Sequence, residues 1–103
     1  MKERCKIIFS DEMLSRITWN GEKYLRVDTH GMSKNKALHF IQSLLLLNFQ
    51  DDFVLEVVHG FHKGHVIKEA LLSELQTRKP YEIRFNENNP GITRFVVSGR
   101  YAA

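Results

Sequence analysis

The sequence contains one cysteine and no long hydrophobic run. Cys5 is the only cysteine among 103 residues, so an intrachain disulfide framework is excluded and a reducing compartment is expected. The apolar run near the basic N-terminus is too short for a signal-peptide core, and no stretch approaches the ~20 apolar residues of a membrane-spanning helix. We therefore expect a cytoplasmic protein without a membrane partner.

Length and composition are typical of one globular domain. With 43% hydrophobic and 26% charged residues, a chain of 103 residues can bury a core, and intrinsic disorder is disfavoured. Fifteen Lys and Arg residues against twelve Asp and Glu residues give a net charge of +3. That charge is compatible with an anionic partner such as nucleic acid, but it does not require one.

The N-terminal part of the chain carries local signals for short elements. The segment "CKIIF", residues 5–9, has the composition of a short strand, and Ser10 with the acidic residues after it predicts a brief helical turn. Asn20 and Gly21 lie between β-prone segments and favour a hairpin with a type I′ turn. A strand over residues 24–29 is expected to follow.

Two helices are predicted in the rest of the chain. Ser33 as N-cap, followed by apolar residues at helical spacing, predicts a helix to about Asn48. Its four consecutive leucines cannot all face one sheet, so Leu46 or Leu47 is expected on a second surface. That surface is either ordinary burial at a helix end or a subunit contact that would form a homodimer. A second helix is predicted from residue 64 or 65 to residue 78.

Three further segments are predicted to be strands. They are residues 52–59, 81–85 and 92–98. The first is apolar almost throughout, which is typical of a strand at the centre of a sheet. Between the other two, "NENNPG" predicts a turn with Pro90 and Gly91 at its two central positions.

The order of these elements predicts the fold class. After residue 23 the order is β-α-β-α-β-β, which indicates a two-layer α/β sandwich with two helices against one mixed sheet. Residues 1–23 are expected to form an N-terminal β extension that contains part of the hairpin. Residues 24–103 are expected to form the domain proper.

Polar side chains follow two strands that are expected to be neighbours. The first motif is "VDTHG", residues 27–31, and the second is "HGFHKGH", residues 59–65. Because parallel neighbours end at the same edge of a sheet, His30 and His59 are expected to lie close together. Asp28 shares a strand face with His30, so its carboxylate either orients an imidazole or caps backbone amides.

The histidine-rich second motif fits several kinds of loop. A metal site is disfavoured, because the chain has no second cysteine and no His-Glu-x-x-His helix, and we expect neither a metal nor another cofactor. In a phosphate-binding loop, Gly60 and Gly64 would let backbone amides approach a phosphodiester beside Lys63 and His62. An ordinary turn between strand and helix is the remaining alternative.

Together, the two motifs resemble those of the Smr family, the small MutS-related domain. The family's motifs are Leu-Asp-x-His-Gly after the first strand and His-Gly-x-Gly-x-Gly after the second. Here Val27 replaces the leucine, and "HGFHKG" has two glycines rather than three. "NPGITRFVV" is similar to the family's last turn and strand, so the resemblance spans about residues 25–97. It implies a fold similar to the C-terminal domain of bacterial initiation factor three.

The resemblance also implies nucleic-acid binding and endonuclease activity, either on RNA or as a DNA nickase. By position, it implies the site residues Asp28, His30, His59, Gly60 and Gly64, with Lys63 a weaker match. In such an enzyme, one histidine would accept a proton from the attacking hydroxyl or water, and the other would protonate the leaving oxygen. Asp28 would then hold one imidazole in a single tautomer, and the loop amides would stabilise charge on the phosphoryl oxygens.

Two other functions remain open at this point. Because the second motif departs from the family's pattern, the chain is alternatively a nucleic-acid-binding module without catalysis. The other alternative is an interaction protein that dimerises through its leucine-rich helix. Arg26, Arg84 and Arg94 are candidate contacts to a nucleic-acid backbone if they lie on one side of the domain. The sequence does not choose between DNA and RNA.

Overall fold

A mixed β-sheet and four helices make up the structure, a computed structural model that describes residues 1–48, 51–60, 64–75, 81–89 and 91–99. In chain order the elements are α1 (Lys2–Ile8), α2 (Asp11–Ser15), β1 (Ile17–Trp19), β2 (Tyr24–Asp28), α3 (Lys34–Leu47), β3 (Phe53–Val58), α4 (Gly64–Leu75), β4 (Tyr81–Asn89) and β5 (Ile92–Gly99). The predicted α/β class and the order β-α-β-α-β-β from β2 onward are confirmed.

The five strands lie in the order β1-β2-β3-β5-β4. β2 and β3 are parallel, with Val27 opposite Val57, whereas the other neighbouring pairs are antiparallel. β3 therefore lies at the centre of the sheet, as its nearly continuous apolar sequence predicts. The parallel pair requires a crossover connection, which α3 supplies.

The two long helices, α3 and α4, pack against each other and share one hydrophobic core with a face of the sheet. The large side chains that are completely buried between these layers include Leu25, Ile41, Leu44, Leu55, Leu71 and Phe95. On the opposite face, which we call the outer face, the described side chains include Tyr24, Arg26, Asp28, Val54, Glu56, Val58, Ile92, Arg94 and Val96. All of these except Glu56 are at least partly exposed, because strand residues alternate between the two faces.

The prediction of a strand at residues 5–9 is wrong, because these residues belong largely to α1. Met1, Cys5 and Phe9 recur at a spacing of four residues, which places them on one side of a helix. They pack onto the core, where the rings of Phe9 and Phe40 meet edge to face with centroids 5.2 Å apart. The N-terminal segment is thus mainly helical, and β1 is its strand.

The predicted cap and hairpin near the N-terminus are confirmed, but the turn type is wrong. The Met13 amide donates to the Ser10 hydroxyl at 3.3 Å and begins α2. In the β1-β2 hairpin, the Asn20 amide donates to the Tyr24 carbonyl at 2.8 Å. A type I′ turn requires positive φ at both central residues, and here Gly21 has it while Asn20 does not.

The predicted α3 is confirmed, and Ser33 caps it by accepting a hydrogen bond from the Lys36 amide at 3.2 Å. Leu46 is 50% exposed, whereas Leu47 packs against the core, so the second surface belongs to Leu46. α4 begins at Gly64 as predicted, and its predicted end lies outside the described residues. No helix in the described ranges has both the length and the hydrophobicity to cross a bilayer.

β4 continues through most of the segment that was predicted to be a turn. It extends to Asn89, which pairs with Ile92, so two residues separate the paired positions. Pro90 lies outside the described residues, and the turn geometry at this position is not described. The polar residues of "NENN" join the sheet because pairing with β5 satisfies their backbone groups, with an irregularity between Glu87 and Asn89.

Candidate functional site

The candidate site lies where β2 and β3 end. The amide and the hydroxyl of Thr29 both donate to the Val58 carbonyl, at 2.9 and 3.2 Å. The chain segments that leave the two parallel strands therefore begin side by side, and α3 and α4 begin shortly after them. This arrangement places the two sequence motifs at one edge of the sheet, where α/β proteins commonly bind ligands.

The exposed ring of His30 lies against the backbone of Gly60. A Cβ atom added to Gly60 would lie 3.1 Å from Cδ2 of His30, which is closer than a side chain normally approaches. Gly60 also has a φ of +85°, a conformation that glycine adopts most readily. Glycine at this position therefore serves both the turn and the close approach of the imidazole, and the two motifs meet in space.

Asp28 stabilises the turn that presents His30. Its Oδ1 accepts a hydrogen bond from the His30 amide at 2.9 Å. Among the described residues, the Asp28 side chain makes this backbone contact and none to an imidazole ring. Of the two roles left open by the sequence, the capping of a backbone amide is therefore the one observed.

Arg16 is a site residue that sequence reasoning missed. Its Nη1 donates to the carbonyls of Asp28 and His30 at 3.0 and 3.2 Å, and the Asp28 amide donates to the Arg16 carbonyl at 2.9 Å. A residue of the N-terminal segment thus fixes the loop that carries His30. No local pattern signals this role, because backbone carbonyls are present everywhere and only the pairing of β1 with β2 brings residue 16 near.

His59 is buried, with 2% of its surface exposed, on the inner side of the sheet. Its Nδ1 lies 3.1 Å from the Gly60 carbonyl, and its Nε2 lies 2.9 Å from the Thr93 hydroxyl. Since a carbonyl only accepts, Nδ1 carries the proton and Nε2 of the neutral ring accepts from Thr93. Burial lowers the pKa of His59, which keeps this ring neutral at physiological pH.

The backbone of the second motif is also occupied. The amides of His59 and Gly60 both donate to the Gly91 carbonyl, at 3.0 and 3.1 Å. The Gly60 amide therefore has an acceptor within the protein, and the predicted role of Gly60 in phosphate binding stays a prediction. His62 and Lys63, two predicted phosphate-binding residues, lie outside the described residues, and Gly64 is the first residue of α4.

The surroundings of this edge favour negative charge on a ligand. Lys34 and Lys36 are exposed in the first turn of α3, and Lys36 Nζ lies 3.6 Å from a carboxylate oxygen of Glu12. Neither α3 nor α4 has an acidic residue in its first turn, and helix N-termini carry partial positive charge. In the described part of the chain, no group of three or more His, Cys, Asp or Glu residues is placed to hold a metal ion.

Comparisons with known proteins provide no family for this chain. No protein-family model, no curated protein sequence and no solved structure matches it.

Proposed function

We propose that the protein is a nucleic-acid-binding domain of the Smr type, with a fold similar to the C-terminal domain of bacterial initiation factor three. Its site would contact the phosphodiester backbone at the edge formed by His30, Gly60 and the start of α4. One observation carries the proposal: His30 is exposed and its ring lies on the backbone of Gly60, where the two family-like motifs meet. The order β-α-β-α-β-β from β2 onward supports the same resemblance.

Charge and exposure around His30 suit a polyanionic ligand. The imidazole offers a hydrogen-bonding group and a flat surface, and the exposed Lys34 adds a positive charge at the first residue of α3, four residues after His30. Arg16 and Asp28 hold the His30 backbone, so little conformational entropy is lost when its side chain binds. Contacts of this kind read the nucleic-acid backbone rather than the base sequence.

The environment of His59 favours binding over cleavage by a histidine pair. General acid-base catalysis needs two groups that reach the reacting phosphate, and a ring that is 2% exposed does not do so. Both of its nitrogens already have partners in Gly60 and Thr93. We therefore assign His59 a positioning role, in which it holds the second motif against β5.

Endonuclease activity is the second candidate function, and the fixed backbone of His30 favours it. The loop of His30 is held by Arg16 and Asp28 while the ring stays exposed, which is the placement required of a single general base or acid. In such an enzyme a group other than His59 would supply the second proton transfer.

Binding is tested by fluorescence anisotropy with labelled single-stranded RNA, single-stranded DNA and duplexes over a range of salt concentrations. We expect His30→Ala to raise Kd at least about fivefold, since a stacking or phosphate contact of about 1 kcal/mol is lost. His39→Ala is the matched control, because it removes another exposed imidazole from α3. Binding that does not weaken as salt rises would contradict contacts to phosphates.

Cleavage is tested separately, with single-stranded RNA, hairpin RNA and supercoiled plasmid, each with EDTA or with added divalent ions. We expect the protein to bind these nucleic acids, and we expect no cleavage that requires both His30 and His59. Cleavage that is lost in both His30→Ala and His59→Ala would support the histidine pair and overturn the non-catalytic assignment. Loss in His30→Ala alone would support the second candidate, and equal cleavage by all proteins would indicate a contaminating nuclease.

A contact between two copies through the leucine-rich helix stays a prediction. Leu46 is 50% exposed on α3, and a single exposed leucine is common on monomers. Light scattering of Leu46→Glu beside the unmodified protein tests it. If the oligomeric state of this variant is the same as that of the unmodified protein, a homodimer through Leu46 is contradicted.

A further inference from the structure

The outer face of the sheet carries a charged cluster that the proposed edge site does not use. Glu56 lies at its centre, paired in register with Arg26 on β2 and Arg94 on β5. We call Tyr24, Arg26, Glu56 and Arg94 the arginine cluster. The Glu56 side chain is 5% exposed, while those of Arg26 and Arg94 are 46% and 34% exposed. The two cations therefore cover the carboxylate on the outer face, opposite the face that packs against α3 and α4.

Hydrogen bonds fix both guanidinium groups in place. Nε and Nη2 of Arg26 donate to Oε1 of Glu56 at 3.2 and 3.0 Å. Nε and Nη2 of Arg94 donate to Oε2 at 3.3 and 2.9 Å. Each arginine thus uses one edge of its planar group, and among the described residues Nη1 of neither has a protein acceptor. These nitrogens remain available as donors to a ligand.

Tyr24 extends the cluster with an aromatic ring. Nη2 of Arg94 donates to the Tyr24 hydroxyl at 3.2 Å, and the guanidinium carbon lies 6.0 Å from the ring centroid. Three planar groups therefore lie close together on one partly exposed surface. Planar groups of this kind are the usual partners for the flat faces of unpaired bases.

Stability alone does not account for this arrangement. Burial by itself would raise the pKa of Glu56, but hydrogen bonds from Arg94 and Arg26 outweigh that effect and keep the carboxyl pKa below its usual range. An ionised carboxylate under two arginines costs desolvation, and apolar residues of similar size often stabilise such a position as well or better. The Glu56 carboxylate instead holds the guanidinium groups of Arg26 and Arg94 in place, with Nη1 of each directed away from the ion pair.

We propose that the outer face binds single-stranded nucleic acid, with Arg26 and Arg94 contacting phosphates through Nη1 and the planar groups supporting unpaired bases. This inference rests on the proposed nucleic-acid-binding function and extends its site. Asp28 lies two residues after Arg26 on β2, at the edge of the outer face. Its exposed carboxylate accepts from the His30 amide, so the outer face and the loop of His30 are adjacent. A single-stranded nucleic acid that is bound at His30 would therefore continue across the outer face past Arg26.

A single strand fits this surface better than a duplex does. In a duplex the bases are already stacked on one another, so their faces are not available to Tyr24 or to a guanidinium plane. An open sheet face also allows a flexible strand to follow groups on adjacent strands, about 4.8 Å apart. The chemistry is shared by single-stranded RNA and DNA, so both are used as probes.

The main test replaces the three charges together, in Arg26→Met/Glu56→Leu/Arg94→Met. This variant leaves no unpaired buried charge, so it is expected to fold, and urea unfolding checks that it does. Kd for oligonucleotides of about 20 residues, RNA or DNA, should rise at least about tenfold, and the salt slope should fall by about one to two. Duplex binding should change less than about threefold. Lys6→Gln, on exposed α1, is the control with the same change of net charge.

A second variant, Arg26→Lys/Arg94→Lys, tests the cluster if the triple variant does not fold. It keeps both charges but loses the planar forks, so single-strand binding should weaken at least about threefold while duplex binding is retained. Single-strand affinity unchanged in the folded cluster variants, with His30→Ala still defective, would overturn this inference and leave the proposed function standing. No binding by the unmodified protein would overturn both, and equal loss of single-strand and duplex binding would overturn the single-strand preference.

Discussion

The chain segments after β2 and β3 contain the same two residues in the same order, histidine and then glycine, yet the histidines have opposite environments. His30 is exposed at the edge of the sheet, whereas His59 is 2% exposed beneath it. The register of the parallel pair explains the difference. The last pair is Asp28 opposite Val58, so the next position along each chain segment places Thr29 beside His59, and the one after it places His30 beside Gly60. The two motifs are therefore offset by one residue.

This offset assigns different tasks to the two histidines. Thr29 and His59 both face inward, and a buried imidazole must find partners for both nitrogens, which it does in Gly60 and Thr93. His30 faces outward and needs no internal partner for its ring. A shift of a single residue in a strand exchanges inside and outside, so similar motifs on neighbouring strands do not imply similar roles.

The largest expected effect separates the two histidines by stability. We expect His59→Ala to lower the free energy of unfolding by about 2–4 kcal/mol, because it leaves a cavity and removes the partner of the buried Thr93 hydroxyl and of the partly buried Gly60 carbonyl. His30→Ala should change it by less than about 0.5 kcal/mol, as is usual for an exposed side chain. Urea unfolding of both variants measures this contrast. Similar losses in the two variants would contradict the assigned environments.

The two glycines that follow these histidines provide a second contrast. Gly31 and Gly60 have φ values of +82° and +85°, so alanine is strained at both, by about 1 kcal/mol or more. Only at Gly60 would the new Cβ meet the His30 ring, at 3.1 Å, so Gly60→Ala should cost about 1 kcal/mol more than Gly31→Ala.

A double variant checks the source of that extra cost. In Gly60→Ala/His30→Ala the ring that the Cβ would meet is absent, so the excess over Gly31→Ala should largely disappear. An excess that persists without His30 would show that the contact between the two motifs is not the cause.

The pH dependence of stability should reveal the buried histidine. The folded-state pKa of His59 lies below its ordinary value of about 6.5, so at intermediate pH the unfolded chain binds a proton that the folded chain does not. This contribution to stability is therefore fully present above about pH 6.5 and is lost as pH falls toward the lowered pKa, with a slope of at most about 1.4 kcal/mol per pH unit.

Unfolding free energies measured between about pH 7.5 and pH 5 test this effect. His59→Asn should have a flatter profile than the unmodified protein, because the titrating ring is gone. His30→Ala serves as the control and should keep the original slope. If the slope vanished in His30→Ala instead, the pH dependence would not come from His59.

The smallest expected effect concerns the support of the exposed loop. Arg16→Gln removes the charged donor to the carbonyls of Asp28 and His30, and we expect the free energy of unfolding to fall by only about 0.5–1 kcal/mol because these hydrogen bonds are exposed. Amide hydrogen exchange at residues 28–31 should increase, while exchange at His59 and Gly60 stays slow. Faster exchange in both loops would show that Arg16 stabilises the whole edge rather than one side of it.

Local signals in the sequence predicted much of the fold. Caps at Ser10 and Ser33 and the apolar spacing of α3 depend on neighbouring residues alone, and they are confirmed. The prediction of a strand in place of α1 is wrong because a short apolar run fits either element. The contact of Phe9 with the distant Phe40 is part of the packing that favours the helix. The length of β4 was missed because pairing with β5 overrides the turn preference of its polar residues.

For the candidate site, the sequence alone determined which residue types end the two parallel strands, since strand periodicity and the positions of the glycines are local properties. Tertiary structure decided which histidine is exposed, that Arg16 supports it, and that Glu56 holds two arginines on the outer face. These features depend on the register between strands and on residues far apart in the chain. Burial and hydrogen-bond partners of that kind arise only when the strands pair, so no local pattern of residues encodes them.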